Sequence, residues 1–355
     1  MPSLADVFTP DAFNVYSLTA AVNKIPHAPR LIGDMGIFRE IPIATTLVAV
    51  EESQGKLTLV PTTPRSGPGI PSQDANRIVT SFNVPHIQLD DTVTADDVIN
   101  VRAFGGEGPA PATEVVARKL EIMRRSVDTT IENLRMHALH GKVFYPDNSH
   151  DADLDLFTAF GLTDQATDRL AVDLDVHTAA TDVLSETIPL IKDQMEVALG
   201  GEPYNGILCI MGRTIFRMLV GHALVRDAYK QQLQQWILAN IGQTTDGFHP
   251  RMVFQVGDIS FVEYYGKVGT SAAGPGGAGE YVLATEGTAI PLGTDLFHTY
   301  YAPADTMEAV GTLGLPLYAR TVPQVDGKSV GLEVQSNPLS ICLRPKVLLR
   351  IHGTA

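Results

Sequence analysis

Four sites in the sequence carry residue types that could do chemistry. Gly327-Lys328-Ser329-Val330-Gly331 has the form of a nucleophile elbow, in which a serine on a tight turn between strand and helix attacks an acyl carbon. Ser329 would need an acid and a histidine downstream, and the chain offers Glu333 and His352. The residues that follow, LEVQSNPLSICLRP, predict strand and loop rather than the helix such an elbow opens. The same Gly-Lys-Ser lacks the upstream glycine of a phosphate-binding loop, because position 322 is Val. Gly274-Pro275-Gly276-Gly277-Ala278-Gly279 spells a dinucleotide fingerprint, but it lies between two β segments and no helix amino terminus is predicted to face a pyrophosphate. Asp151, Asp153 and Asp155 begin like a calcium loop, yet Leu156 and Leu162 stand where the turn glycine and the distal glutamate belong. His137 and His140, three apart on a predicted helix, could seat a metal only with a third ligand from elsewhere. These patterns predict no catalytic residue, cofactor or metal; a serine hydrolase using Ser329 is the reading from another class.

The elements around these residues show what the chain is built to position. It has 355 residues, 44% hydrophobic and 19% charged, enough for a large core in two lobes. No apolar run is long enough to cross a membrane, and MPSLADVFTP lacks the basic and apolar regions of a secretory leader, so the expected compartment is the cytoplasm where the chain is made. Cys209 and Cys342 sit in apolar strings, ILCIM and SICLR, as buried thiols do. A net charge of −14 argues against a protein that wraps nucleic acid tightly, which needs clustered Lys and Arg.

The first 35 residues mix Phe8, Phe13 and Tyr16 with Pro26, Pro29 and Gly33, and Gly36 follows. They read either as an extended arm that packs on a neighbour or as a segment folded onto its own domain. Residues 41–50 and 56–61 are apolar and β-branched around Glu52-Ser53-Gln54-Gly55, a hairpin pattern. Four prolines, Pro61 to Pro71, follow, so the hairpin resembles a projecting loop. Over 113–140, Val116, Leu120, Met123, Val127, Ile131, Leu134 and Ala138 recur at steps of four and three. Arg118, Glu121, Arg125, Asp128, Glu132 and Arg135 fall on the opposite side, Thr113 is the expected N-cap, and Gly141 closes the helix. At 1.5 Å per residue it is roughly 40 Å long. Residues 147–175 hold eight aspartates and one basic residue, Arg169, and read as strands with an acidic face. Residues 177–199 and 213–239 read as helical, the second interrupted near Gly221; RMVFQV, ISFVEYYG, EYVLA and ICLRPKVLLRI read as strands. The fold class is α+β.

That order resembles the phage major capsid protein E family, the lambda type. The strings that carry the resemblance are Phe13, Leu18, Thr19 and Ala20 with Pro26, Pro29, Gly36 and Phe38; Tyr301-Ala302-Pro303-Ala304-Asp305; Gly314 with Pro316 and Tyr318; and Gln335-Ser336-Asn337-Pro338 with Cys342, Arg344 and Pro345. The resemblance implies the tailed-phage and herpesvirus capsid fold. Its parts would be an N-terminal arm (1–38), an extended hairpin loop (39–75), a peripheral domain (76–175 and 336–355) with the spine helix 113–140, and an axial domain (176–335). It further implies a subunit that assembles into pentamers and hexamers enclosing double-stranded DNA, with separate scaffold, portal and decoration proteins. An encapsulin-like compartment is the alternative within the same fold. Inter-subunit contacts are then expected from Phe8, Phe13, Tyr16, Glu52, Gln54, Lys56 and Arg65, and weak DNA contacts from Arg118, Arg124 and Arg125 on the helix. Lys56 stands near the hairpin tip, but no acceptor for a lysine crosslink is marked.

Overall fold

The computed structural model describes residues 15–24, 31–53, 77–94, 96–97, 112–145, 154–162, 171–173, 187–222, 225, 253–264, 282, 285–324 and 329–352. In chain order these form α1 (Val15–Lys24), α2 (Leu31–Asp34), β1 (Arg39–Pro42), β2 (Leu47–Ser53), β3 (Arg77–Asn83) and β4 (Ile87–Thr94). Then come α3 (Ala112–His140), β5 (Lys142–Val143), β6 (Leu154–Asp155), α4 (Leu156–Ala159), β7 (Ala171–Asp173), α5 (Ile188–Leu199), β8 (Gly206–Met211) and α6 (Arg213–Gly221). The remainder is β9 (Val253–Val256), β10 (Ile259–Glu263), β11 (Glu286–Leu292), β12 (Phe297–Tyr301), β13 (Tyr318–Pro323), β14 (Ser329–Ser336), β15 (Pro338–Cys342) and β16 (Leu349–His352). The chain divides into two compact units, one of residues 1–48, 83–133 and 298–340, the other of 49–82, 134–297 and 341–355. Helix and strands together make it α+β.

The first unit is a helix laid on a three-stranded antiparallel sheet of order β13-β14-β4. Its centre, β14, pairs with β4 from Ser329 opposite Thr94 to Ser336 opposite Ile87, and with β13 from Tyr318 opposite Gln335 to Pro323 opposite Val330. Alternation along β14 and β4 turns Val330, Leu332, Val334 and Val93 to one side. There they meet the apolar stripe of α3, Val116, Leu120, Met123, Val127 and Ile131, together with Leu18 and Val22 of α1. The helix begins at Ala112, so Thr113 lies within its first turn instead of capping it. It ends as expected: Gly141 has φ +81° and donates its amide to the Ala138 carbonyl at 3.1 Å. A side chain there would run into the Phe157 ring, 2.3 Å from a Cβ.

The second unit contains a six-stranded sheet of order β7-β16-β11-β8-β10-β9. Its central strand β8, GILCIM, is buried along its whole length, parallel to β10 and antiparallel to β11, so Cys209 lies between Phe261 and Ala289. A strand covered on both faces needs no polar alternation. The strands β9 and β10 form where RMVFQV and ISFVEYYG were expected, whereas of EYVLA only Val282 is described, in a bend.

Several expectations are corrected. The apolar run 41–50 is divided between β1, which pairs in parallel with β12 (Glu40 opposite Thr299), and β2, which pairs with β3. The partner expected at 56–61 lies outside the described residues. The last strand, expected beside the spine helix, pairs instead with β11 and β7 in the second unit, and β13 with most of β14, expected in the axial lobe, complete the sheet under the spine helix. The pairings follow hydrogen-bonding edges that are remote in sequence. Among the described residues of 147–175 the strands are β6 and β7; Asp155 caps the helix α4, its carboxylate accepting from the amides of Phe157 at 2.9 Å and Thr158 at 3.3 Å.

Candidate functional site

In the first unit, the strings that carry the family resemblance converge around the loop 302–317. Asn337 donates its side-chain amide to the Pro303 carbonyl at 2.7 Å, its backbone carbonyl accepts from Ala302 N at 3.0 Å, and its Oδ1 lies 2.8 Å from Nδ1 of His86. The Ser336 hydroxyl donates to the Pro316 carbonyl at 2.7 Å, and the amide of Asp305 to Gln335 at 3.4 Å. The amide of Leu315 donates to the Tyr318 hydroxyl at 2.8 Å. Gly314 donates to the Ile43 carbonyl at 2.9 Å and passes so close to Tyr301 that a Cβ would stand 2.0 Å from its carbonyl oxygen; only glycine fits. The helix α1 is fastened to the same place: the Thr19 hydroxyl bonds both backbone groups of Ala319, and Asn23 donates to the Leu317 carbonyl at 3.1 Å. Each backbone group satisfied this way removes a freedom from the loop.

The spine helix is polar inside as well as outside. Arg124, expected to face DNA, is 1% exposed, and its guanidinium lies 3.5 Å from the carboxylate of Asp128, itself 2% exposed. Glu132 is buried too and accepts from the amides of Ile32 at 2.8 Å and Gly33 at 3.2 Å, at the first turn of α2. Arg135 is likewise buried. The expected solvent face therefore holds only for Arg118, Glu121 and Arg125 in the first half of the helix; Arg125 is exposed and pairs with Glu121 at 2.6 Å. The reason is coverage: α2 packs where periodicity alone leaves the helix bare.

The stem of the loop predicted at 39–75 is a two-stranded ribbon, β2 with β3. In the second unit Phe82 at its base lies 5.7 Å from the ring of Phe160, and the Thr80 hydroxyl reaches the Ala159 carbonyl at 3.4 Å. Of the residues expected to contact neighbouring subunits, Tyr16 lies in α1 and Glu52 in β2, while Phe8, Phe13, Gln54, Lys56 and Arg65 lie outside the described residues.

Among the described residues, those with catalytic potential are not brought into a reactive geometry within either unit. Ser329 opens the strand β14, paired with Thr94, and the chain continues as strand to Ser336. Cys209 and Cys342 are fully buried; burial pushes the Cys209 thiol well above its usual range and that of Cys342 to about 12, so neither is a nucleophile near neutral pH. His137 packs edge-on against Phe144, and burial lowers its pKa to about 4. His140 is engaged with the Thr288 hydroxyl at 2.7 Å. The glycine-rich run 274–279 and Asp151 and Asp153 lie outside the described residues. Among the described residues no three His, Cys, Asp or Glu side chains come together as metal ligands, and no helix is long and apolar enough to cross a membrane.

A long helix on an antiparallel sheet, a paired ribbon and a second unit around a mixed sheet make up the α+β architecture that the resemblance implies. Comparison with known proteins agrees. The family model described as phage major capsid protein E matches residues 14–352, and the chain belongs to that family. It is 28% identical over 344 residues to the major capsid protein of Pseudomonas phage KPP10, covering 95% of this chain and 96% of that one. It is likewise 28% identical to the major capsid protein of Salmonella phage Felix O1, covering 97% of each. Among solved structures it is similar to the putative capsid protein of an Escherichia coli CFT073 prophage, with a TM-score of 0.59 at 13% identity over 96% of this chain and 99% of that one. The protein is a phage major capsid protein, a component of the virion with the fold of tailed-phage capsid subunits.

Proposed function

We propose that this chain assembles with copies of itself into pentamers and hexamers that close an icosahedral head around double-stranded DNA, and that it carries out no catalysis. The observation that carries this reading is the family match over residues 14–352, and the ribbon of β2 and β3 supports it: among the described residues neither outer edge has a further strand partner. Open edges of this kind are completed by another chain. Separate scaffold, portal and decoration proteins act on the shell, and assembly takes place in the host cytoplasm. Phe8, Phe13, Tyr16, Glu52, Gln54, Lys56 and Arg65 contribute contacts to neighbouring subunits. The net charge of −14 keeps adhesion to the packaged DNA weak. Arg118 and Arg125 make what contact there is; Arg124, being buried, is excluded. Sedimentation of the purified chain tests the reading: pentamers, hexamers or whole shells are expected, and a monomer that persists when a scaffold protein is added would overturn it.

A further inference from the structure

The loop between β12 and β13 exposes large apolar side chains without being loose. Met307 is 91% exposed, Val310 72% and Leu313 61%, within seven residues. The 3-10 turn Met307–Ala309 and the bonds from Thr312 to the Ala309 carbonyl, 3.1 Å from the amide and 2.7 Å from the hydroxyl, hold them out. Isolated exposed apolar residues are ordinary, whereas a rigid group of them marks an interaction surface.

Beside this knob, within the same unit, opens a cavity of about 630 Å³ walled by the apolar Ala20, Ile131, Leu313, Leu315 and Tyr318 and also by the charged Glu40, Arg124, Asp128 and Glu308. The knob and the hole thus share Leu313. Residues 302–316 contain Asp305 and Glu308 and no lysine or arginine, which argues against nucleic acid or an anionic surface as the occupant. A knob and a hole side by side on one unit are what a contact between copies around a rotation axis requires, since each copy offers its knob to the next and receives one in turn.

We infer that this loop is a contact between copies of the chain: Met307 and Val310 of one copy seat in the cavity of the next. The inference rests on the shell-forming reading above and adds the surface that serves it. An apolar patch of three or four side chains is far below the roughly 800 Å² per partner of a stable pair. The contact therefore holds only beside the others of an assembled shell, and the unassembled chain does not dimerise through it.

Two experiments on the full-length chain decide it. The triple variant Met307→Asp, Val310→Asp, Leu313→Asp should melt like the wild type as an unassembled chain, because these side chains lie in solvent, yet give at least tenfold fewer shells. Val310→Cys and Ala20→Cys chains, mixed during assembly and oxidised, should form a covalent dimer containing one of each, the native cysteines being buried. Wild-type shell yield from the triple variant, or mixed shells without that dimer, would overturn the inference. Shells of normal yield that no longer hold a scaffold or decoration protein would assign the loop to that companion and overturn it equally. If the wild type itself forms no shells, the capsid reading fails first and takes this contact with it.

Discussion

The side-chain amide of Asn337 donates to the carbonyl of Pro303 at 2.7 Å, joining two strings that stand 34 residues apart. Around this bond the strand β14 and the start of the loop after β12 are held as one piece. Replacing Asn337 with Ala leaves a carbonyl and a ring nitrogen without their partner. The Pro303 carbonyl is half-buried and the His86 ring exposed, so water replaces part of what is lost and the cost is about 1 kcal/mol. Asn337→Ala should lower the urea midpoint of the unassembled chain and raise the rate of proteolytic cleavage within 302–317.

Gly314 is a stricter requirement. A methyl group there would stand 2.0 Å from the Tyr301 carbonyl oxygen, a backbone atom that cannot turn aside. Gly314→Ala is expected to destabilise by about 3 kcal/mol or more, beyond ordinary overpacking. Soluble yield and thermal midpoint report it; Gly311→Ala, at a positive-φ position with open space around it, should be the milder change.

Arg124 and Asp128 form a pair almost without solvent contact. Removing the cation alone strands a buried carboxylate, at a cost of about 3–5 kcal/mol, whereas replacing both residues with apolar ones restores much of the loss. Denaturation of Arg124→Met, Asp128→Leu and the double variant should show the double to be more stable than the Arg124→Met single. Arg125, exposed on the same helix, should tolerate Gln with little change in stability.

His137 gives the chain an acid limit. Burial holds its pKa near 4 in the folded state, below the ordinary 6.5. As pH falls through 6.5 the unfolded chain takes up a proton that the folded one refuses, so this contribution to stability is whole above pH 6.5 and is lost down to about pH 4. The loss amounts to roughly 3 kcal/mol. The urea midpoint of the wild type should fall over that range, and that of His137→Gln should fall less steeply.

Much of this was legible in the sequence, and the parts that were not share a cause. The spine helix was readable because its apolar period is local and Gly141 marks its end. Its inner polar residues were not, because Arg124 and Glu132 look like solvent residues until α2 and the rest of the first unit cover them. The strand β8 gave no alternation to read, since GILCIM is buried on both faces. The sheet under the helix joins residues 87–94 to 329–336, and no local pattern announces a pairing across that distance. The family strings were recognisable in order, but that Pro303, Gly314, Tyr318 and Asn337 meet in one hydrogen-bonded knot emerges only in three dimensions.

The central claim, that the chain builds a shell from copies of itself, is tested most directly by electron microscopy of the purified protein, alone and with a scaffold protein. Closed or aberrant shells, or rings of five and six subunits, are the predicted result. A uniform field of monomers or dimers under both conditions would contradict it.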